Sequence, residues 1–361
     1  MKSLVFTVTN DLSFDQRMNR ICSTLADNGF QVTLIGRRKW GSLKLIPQNF
    51  KQVRIPCLFQ SGKLFYLEYN FKLFIRLLLT RFDTVCAIDL DSILPAYLAS
   101  FLKGKKLVYD AHEYFTEMEE IVHRPMIKKA WLGLERFIMK RIDHAYTISE
   151  GYASLFRKHY DKEFAVIRNV PVLQPVTNVT PQIERYIQYQ GVLNVGRGLE
   201  EAIDAMRDLD ECQLRIFGDG PFAGVLKDRV RAASLRSKVS FMGMVRPTEL
   251  REQTANAWVG LTLFSETGLH HRHSLANRFF DYLHAGIPQI AMDYPEYRAF
   301  NDKYGVAILI TELTPAAIVA AVKSLYYDPL HYQRMKENCL WASRENCWER
   351  ESAKLISFYK S

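Results

Sequence analysis

Residues 274–288 read Ser274-Leu275-Ala276-Asn277-Arg278-Phe279-Phe280-Asp281-Tyr282-Leu283-His284-Ala285-Gly286-Ile287-Pro288. Polar residues open the stretch, a short amphipathic helix follows, and a Gly-x-Pro stop closes it. A strand-like run, 287–292, begins at once. Arg278 puts a cation in the first helical turn, and Asp281 puts a carboxylate one turn on. That order suits a ligand with phosphates at one end and hydroxyls at the other. The helix N-terminus adds partial positive charge for anions.

The same rhythm extends in both directions. Strand-like patterns lie at 186–190, 213–217, 239–242, 259–264, 288–292 and 306–310. Helical patterns lie at 199–207, 222–233, 247–255 and 277–285, then at 315–326 and after residue 330. The first half alternates likewise, with strands at 4–9, 31–35, 84–88, 106–109 and 144–148. Its helices fall at 15–28, 66–81, 92–102 and 125–141, and Asn28-Gly29 is a good helix stop. Between the halves, 169–184 carries Pro171, Pro175 and Pro181 and reads as a linker. The economical fold is α/β, with two Rossmann-like, doubly wound domains. Ligands of such sheets bind at the carboxyl ends of the strands, here in the cleft between the domains.

The chain has 361 residues, 48% hydrophobic and 24% charged, as in an ordinary soluble protein. No apolar run is long enough to span a membrane, and the short apolar start, cut by Asn10-Asp11, reads as a first strand rather than a signal peptide. Six cysteines show no pairing or metal spacing and read as reduced thiols of a cytoplasmic protein. Charge is uneven: residues 1–171 hold 26 Lys+Arg against 17 Asp+Glu, and residues 172–361 hold 22 of each. The whole excess of +9 lies in the first half, which is therefore expected to meet something anionic. No zinc module, helix-turn-helix or aromatic nucleic-acid motif is present, so a membrane surface or phosphorylated acceptor fits better than nucleic acid.

Several loops at strand ends are candidate sites. Gly191 to Gly198, with Gly196 and Arg197, follows a strand and opens a helix, a place where backbone approaches phosphate; it also reads simply as a tight turn. Gly218-Asp219-Gly220-Pro221 repeats the arrangement and admits the same plain reading. The loop 265–273 carries Glu266, His270, His271, Arg272 and His273. It reads as a substrate loop, an idle surface loop or, least well, a metal site. In the first half, Asp110-Ala111-His112-Glu113 follows a strand, and Asn10 to Arg17 forms the first strand–helix loop, with Ser13 placed to cap the helix. Asp89-Leu90-Asp91 has the form of an Asp-x-Asp metal motif, but Asp91-Ser92 equally fits a helix cap. The helix at 125–142 sets Ile127, Trp131, Leu134, Ile138 and Ile142 on one face among Lys128, Lys129, Arg136, Lys140 and Arg141. That face either packs on the sheet or lies on a membrane, and 66–81 admits the same two readings.

Taken in order, these motifs resemble glycosyltransferase family 4, retaining enzymes of the GT-B fold. The resemblance also runs through Asp15-Gln16-Arg17, Ser149-Glu150-Gly151, Arg168-Asn169-Val170-Pro171, Arg197-Gly198-Leu199-Glu200 and Trp348-Glu349. It implies an acceptor-binding domain over 1–170, a linker over 171–184 and a donor-binding domain over 185–340. A last helix over 341–361 would pack back on the first domain. The implied donor is a nucleotide sugar, and the implied acceptor is a glycan or lipid-linked saccharide; no metal or other cofactor is needed.

Arg197 stands where the family has a basic residue on the donor diphosphate, and His112 is expected to approach the donor sugar. His273 and Asp281 stand at the two positions of the family's Glu-x7-Glu motif. Both depart from it, His273 by losing a carboxylate and Asp281 by one methylene. Val192 replaces a second phosphate-binding arginine, a charge Arg278 is expected to supply. Gly191, Gly196, Gly218, Asp219, Ser274, Leu275, Asn277 and Tyr282 complete the implied donor site, and Asn10, Asp15, Arg17 and Glu113 the acceptor site. The expected function is retaining sugar transfer in surface polysaccharide synthesis, in the cytoplasm or on the inner face of the membrane. A nucleotide-sugar epimerase or hydrolase and a non-catalytic binding subunit are the alternatives.

Overall fold

The computed structural model describes residues 1–13, 15–174, 185–265 and 269–361. Glu266 and most of the linker, residues 175–184, therefore lie outside the described residues. The chain divides into two compact units, residues 1–169 with 351–361, and residues 170–350. The expected last-helix segment thus divides, with 341–350 in the second unit and 351–361 in the first.

The first unit is a seven-stranded parallel sheet. Its elements in chain order are β1 (Ser3–Asp11), α1 (Gln16–Asp27), β2 (Gln31–Arg38), β3 (Lys51–Pro56), α2 (Gly62–Leu79), β4 (Thr84–Ile88) and α3 (Ile93–Lys103). Then come β5 (Lys106–Ala111), α4 (Glu119–Val122), α5 (Pro125–Met139), β6 (Ala145–Thr147), α6 (Glu150–Tyr160) and β7 (Ala165–Val166). The spatial order is β3-β2-β1-β4-β5-β6-β7. It reverses direction between β1 and β4, the point where ligands of doubly wound sheets bind. β1 and β4 are buried throughout their paired stretch, as central strands of a parallel sheet are.

In this unit the sequence pattern missed β3, α4, α6 and β7. β3 is an edge strand with only Ile55 buried, so it lacks the continuous apolar run of a central strand. α6 starts at Ser149, whose hydroxyl accepts the Tyr152 amide, but Gly151 in its first turn dilutes the helical pattern. The cap of α1 is Asp15, whose carboxylate accepts the Met18 amide at 3.0 Å. Ser13 does not cap it; its amide and hydroxyl both donate to Asp11. Ser92 holds the cap position of α3, yet its buried hydroxyl turns into the sheet to donate to Ile88 O or Thr7 O. The apolar face of α5 is consumed by packing: Ile138 is fully buried, and Trp131 meets Phe115 and Tyr66 edge-on.

The second unit repeats the design with six parallel strands. They are β8 (Tyr186–Gln190), β9 (Gln213–Phe217), β10 (Val239–Gly243), β11 (Val259–Thr262), β12 (Gln289–Met292) and β13 (Ala307–Ile310). The helices are α7 (Leu199–Ala205), α8 (Ala223–Ala232), α9 (Pro247–Asn256), α10 (Asn277–His284), α11 (Pro295–Tyr304), α12 (Pro315–Tyr327), α13 (Pro329–Glu345) and α14 (Trp348–Lys360). The order β10-β9-β8-β11-β12-β13 puts the reversal between β8 and β11.

Residues 351–360 of α14 complete the first unit's core. Leu355 is fully buried, and the Tyr359 ring lies against Phe6 and Tyr146. All six cysteines are buried free thiols. No described helix is long and apolar enough to cross a membrane.

Candidate active site

In the first unit, a pocket of about 480 Å³ opens where β1, β2 and β4 end. Asn10, Arg37, Asp89, Asp91 and Glu113 supply its polar lining, and Phe65, Tyr66 and Phe115 its aromatic walls. Asp89 has φ +54°, a left-handed conformation that is costly for a residue with a Cβ. Its Oδ1 accepts the amides of His112 and Glu113 at 2.9 and 3.2 Å. Burial, with Glu113, Asp91 and Asp110 nearby, pushes its carboxyl well above the ordinary value. Asp91 takes the Thr9 hydroxyl, and burial outweighs that bond and raises its pKa to about 6. The pair thus serves backbone amides and a neighbouring hydroxyl, and no group of three His, Cys, Asp or Glu among the described residues is placed to hold a metal.

Arg17 and Asp15 sit differently from the expected acceptor contacts. Arg17 is only 7% exposed, and its guanidinium donates to Asp110 at 3.1 Å. Its Nε also donates to His112 Nε2 at 2.7 Å. The same Nε2 lies 2.8 Å from Asp110 Oδ2, so the His112 ring is held between the guanidinium and the carboxylate. Burial raises the Asp110 pKa, but His112 and Arg17 outweigh it and hold the carboxylate below its ordinary value. Arg17 is therefore a positioning residue for His112. Asp15 caps α1 and stands 3.5 Å from the Asn10 amide nitrogen. Asn10 and Glu113 line the pocket itself.

In the second unit, the two glycine loops lock together at the strand ends. Gly218 has φ +131°, and a Cβ there would fall 1.9 Å from Gly191 O. Gly191 N donates to Phe217 O, and Leu193 N to Asp219 O, so the loops form one backbone surface. Gly196 and Gly198 also have positive φ as the first loop turns into α7. Arg197 leads from that turn, with Nη1 3.1 Å from His271 Nε2 and its guanidinium 5.3 Å from the Phe264 ring centre. His271 stacks on Phe264 at 4.0 Å. Burial, then the nearby charges of His270, Arg197 and Arg278, lowers its pKa to about 2. A neutral His271 accepts from Arg197 and fixes it. The histidine-rich run announced this residue, but nothing in its spacing said which ring would turn inward.

Arg278 and Tyr282 correct the expected donor site. Arg278 is 8% exposed and lies 4.6 Å from the ring centres of both Tyr189 and Phe264. It donates to Gln190 O and Leu263 O at 3.4 and 3.3 Å, beneath Gly191. It ties the ends of β8 and β11 together and does not take the place of a phosphate arginine at Val192. Tyr282 is fully buried, donates to Gln188 O at 2.9 Å, and lays its ring on Gly260 of β11. It is a core residue, not a donor contact.

Asp281 accepts from Gln190 Nε2 at 2.8 Å. Gln190 is held in turn by Gln188 and Thr254, a network the sequence did not announce. Ser274 and Leu275 are buried just before the helix, and the Ser274 hydroxyl donates to His270 O. The Ala276 amide donates to the Tyr297 hydroxyl at the start of α10, and Asn277 is exposed there. His273 is half-buried, and burial, with Arg272, lowers its pKa. Asp219 lies at the loop tip and accepts the Gly220 amide.

Two Rossmann-like units, each with polar loops gathered at its reversal point, match the GT-B fold. The sequence places the protein more closely. Glycosyltransferase Family 4 matches residues 16–170, and Glycosyl transferases group 1 matches residues 177–339, so the chain belongs to this family of sugar transferases. No curated protein matches the chain. Among solved structures, it is similar to sucrose-phosphate synthase of Thermosynechococcus elongatus, with TM-score 0.82, 15% identity, and 100% and 98% of the two chains covered. It is also similar to Anabaena HepE in complex with UDP and glucose, with TM-score 0.78, 12% identity and both chains fully covered. A third similar structure is WaaG, a glycosyltransferase involved in lipopolysaccharide biosynthesis, with TM-score 0.74, 15% identity and 98% of each chain covered.

Proposed function

We propose that the protein is a retaining, metal-independent glycosyltransferase. It moves a sugar from a nucleotide-sugar donor on the second unit to a hydroxyl of a glycan or lipid-linked acceptor in the first-unit pocket. The setting is surface polysaccharide synthesis at the cytoplasmic face of an anionic membrane. The observation that carries the reading is the interlocked glycine surface at Gly191 and Gly218 with Arg197 held beside it by neutral His271. Backbone that close, with a fixed guanidinium, is suited to a diphosphate. Asp281, oriented by Gln190, is suited to ribose hydroxyls. The similar Anabaena HepE structures hold UDP, UDP and glucose, or UDP-glucose, which supports a nucleotide-sugar donor.

In the proposed step, the bond from the sugar's anomeric carbon to the diphosphate breaks. A bond from that carbon to the acceptor oxygen forms on the same face, and the acceptor hydroxyl proton passes to the departing diphosphate. The protein's part is to stabilise charge developing on the leaving group, which Arg197 and the loop amides do. His112, oriented by Arg17 and Asp110, hydrogen-bonds to the donor sugar. A screen of uridine, guanosine and other nucleotide sugars by thermal shift identifies the donor, and turnover is then followed as nucleoside diphosphate release with and without acceptor. Arg197→Ala is expected to lower kcat about 10²- to 10³-fold, or about 3–4 kcal/mol. Turnover unchanged in that variant overturns the phosphate site. Release that never depends on an acceptor favours a hydrolase.

A further inference from the structure

We infer that the outer face of α2 and α3 is the surface by which this protein docks on an anionic lipid bilayer. The inference rests on the lipid-linked acceptor proposed above and names the surface that meets its membrane. On α2, Leu64, Leu67, Phe71, Ile75 and Leu79 are all exposed, and they recur every three or four residues, so they form one stripe along the helix. The opposite stripe, Phe65, Tyr69, Leu73 and Leu77, is buried on the sheet, and the Tyr69 hydroxyl bonds to Val8 O. α3 repeats the pattern, with Leu94, Leu98, Phe101 and Leu102 exposed and Ile93, Ala96 and Ala99 buried. α2 and α3 pack side by side on the same face of the sheet, so both stripes look outward together. Phe71 is 66% and Phe101 71% exposed. Apolar side chains gathered this densely on the surface mark an interaction site.

Charge selects the occupant. Lys63 and Arg76 of α2 and Arg81 beyond it are exposed around the stripe. The only acid of the two helices, Glu68, is engaged with Lys72 and with the amides of Leu58 and Phe59. Leucine and phenylalanine rimmed by lysine and arginine are the composition of an interfacial helix on anionic lipid. α5, which has a similar sequence pattern, is not that surface, because its apolar face is spent in the core. Position points the same way. Phe65 and Tyr66 of α2 line the acceptor pocket, while Leu64 and Leu67 beside them are exposed. A bilayer on this face therefore brings a lipid-linked saccharide to the pocket mouth.

The test is flotation of the full chain with phosphatidylcholine vesicles, with and without phosphatidylglycerol. Binding is expected only with the anionic lipid. Leu67→Glu with Phe71→Glu is expected to cut it at least about tenfold. Because these side chains contact solvent, melting temperature and turnover on a soluble acceptor stay at the wild-type level. Lys63→Glu with Arg76→Glu weakens binding and its salt dependence. No vesicle binding by the wild type, or binding untouched by Leu67→Glu with Phe71→Glu and by Phe101→Glu, overturns the inference. A dimer in light scattering that the same substitutions dissociate assigns the face to a second copy and also overturns it. Turnover measured without vesicles keeps the two readings separate: its absence in the wild type defeats the transferase proposal, while vesicle binding decides the docking surface.

Discussion

Arg197 and Arg278 both lie over Phe264, and their different surroundings give them different work. Arg278 donates to two strand-end carbonyls between two aromatic rings and so acts as a buried clasp. Arg197 is held by a neutral histidine beside the glycine loops, where the proposed diphosphate lies. The acids of the first-unit pocket divide in the same way. Asp89 is held by two amides, whereas Asp91 is poised at about 6. Above that value Asp91 is a carboxylate able to accept from acceptor hydroxyls; below it the group is neutral and accepts less well. The acceptor kcat/KM is therefore expected to fall as pH drops through about 6. Asp91→Asn is expected to remove that inflection, and a pH–rate profile of both proteins checks it. Loss of the inflection in wild type as well would separate Asp91 from the acceptor.

At the scale of elements, strand ends and helix starts are where the site is made. Gly218 sits with a positive φ against Gly191 O, so Gly218→Ala both strains the backbone and drives a Cβ into a carbonyl. A loss of at least about 1–3 kcal/mol is expected, together with weakened donor binding, read from melting curves with and without nucleotide. His271 links the loop before α10 to the turn before α7. Its pKa is about 2 in the fold against an ordinary 6.5, so below pH 6.5 the unfolded chain takes up a proton that the fold refuses. Stability contributed by the neutral ring is present above pH 6.5 and is lost as pH falls towards about 2. His271→Gln is expected to flatten the decline in melting temperature between about pH 7 and 5.

Much of this scale was legible in the sequence. The strand β4 announced itself by a nearly continuous apolar run, β8 and β9 by apolar residues broken by polar ones, and the helix α10 by helical spacing closed by a clear stop. The edge strand β3 did not, because a strand buried on one side at a sheet margin carries too little apolar pattern. Tyr282 was misread because an aromatic residue in a polar helix start looks alike whether its ring turns to ligand or to Gly260.

At the scale of the whole molecule, the chain's last residues belong to its first unit. Tyr359→Ala is expected to cost about 3–5 kcal/mol, since the ring closes the core beside Phe6 and Tyr146. The expected result is an early unfolding step of the first unit in calorimetry, with nucleotide-induced stabilisation of the second unit retained. The excess positive charge of the first half likewise acquires meaning only through the fold, which separates the consumed apolar face of α5 from the open one of α2 and α3. By itself the sequence determined the alternating strands and helices, the proline-rich junction, the glycine loops and the family, because these depend on local spacing and on ordered motifs. The tertiary structure alone decided which arginine clasps the strand ends, which histidine is neutral, which acids share a pocket and which helix face is left uncovered. Those properties depend on burial and on partners far away in the chain, and no local pattern encodes either.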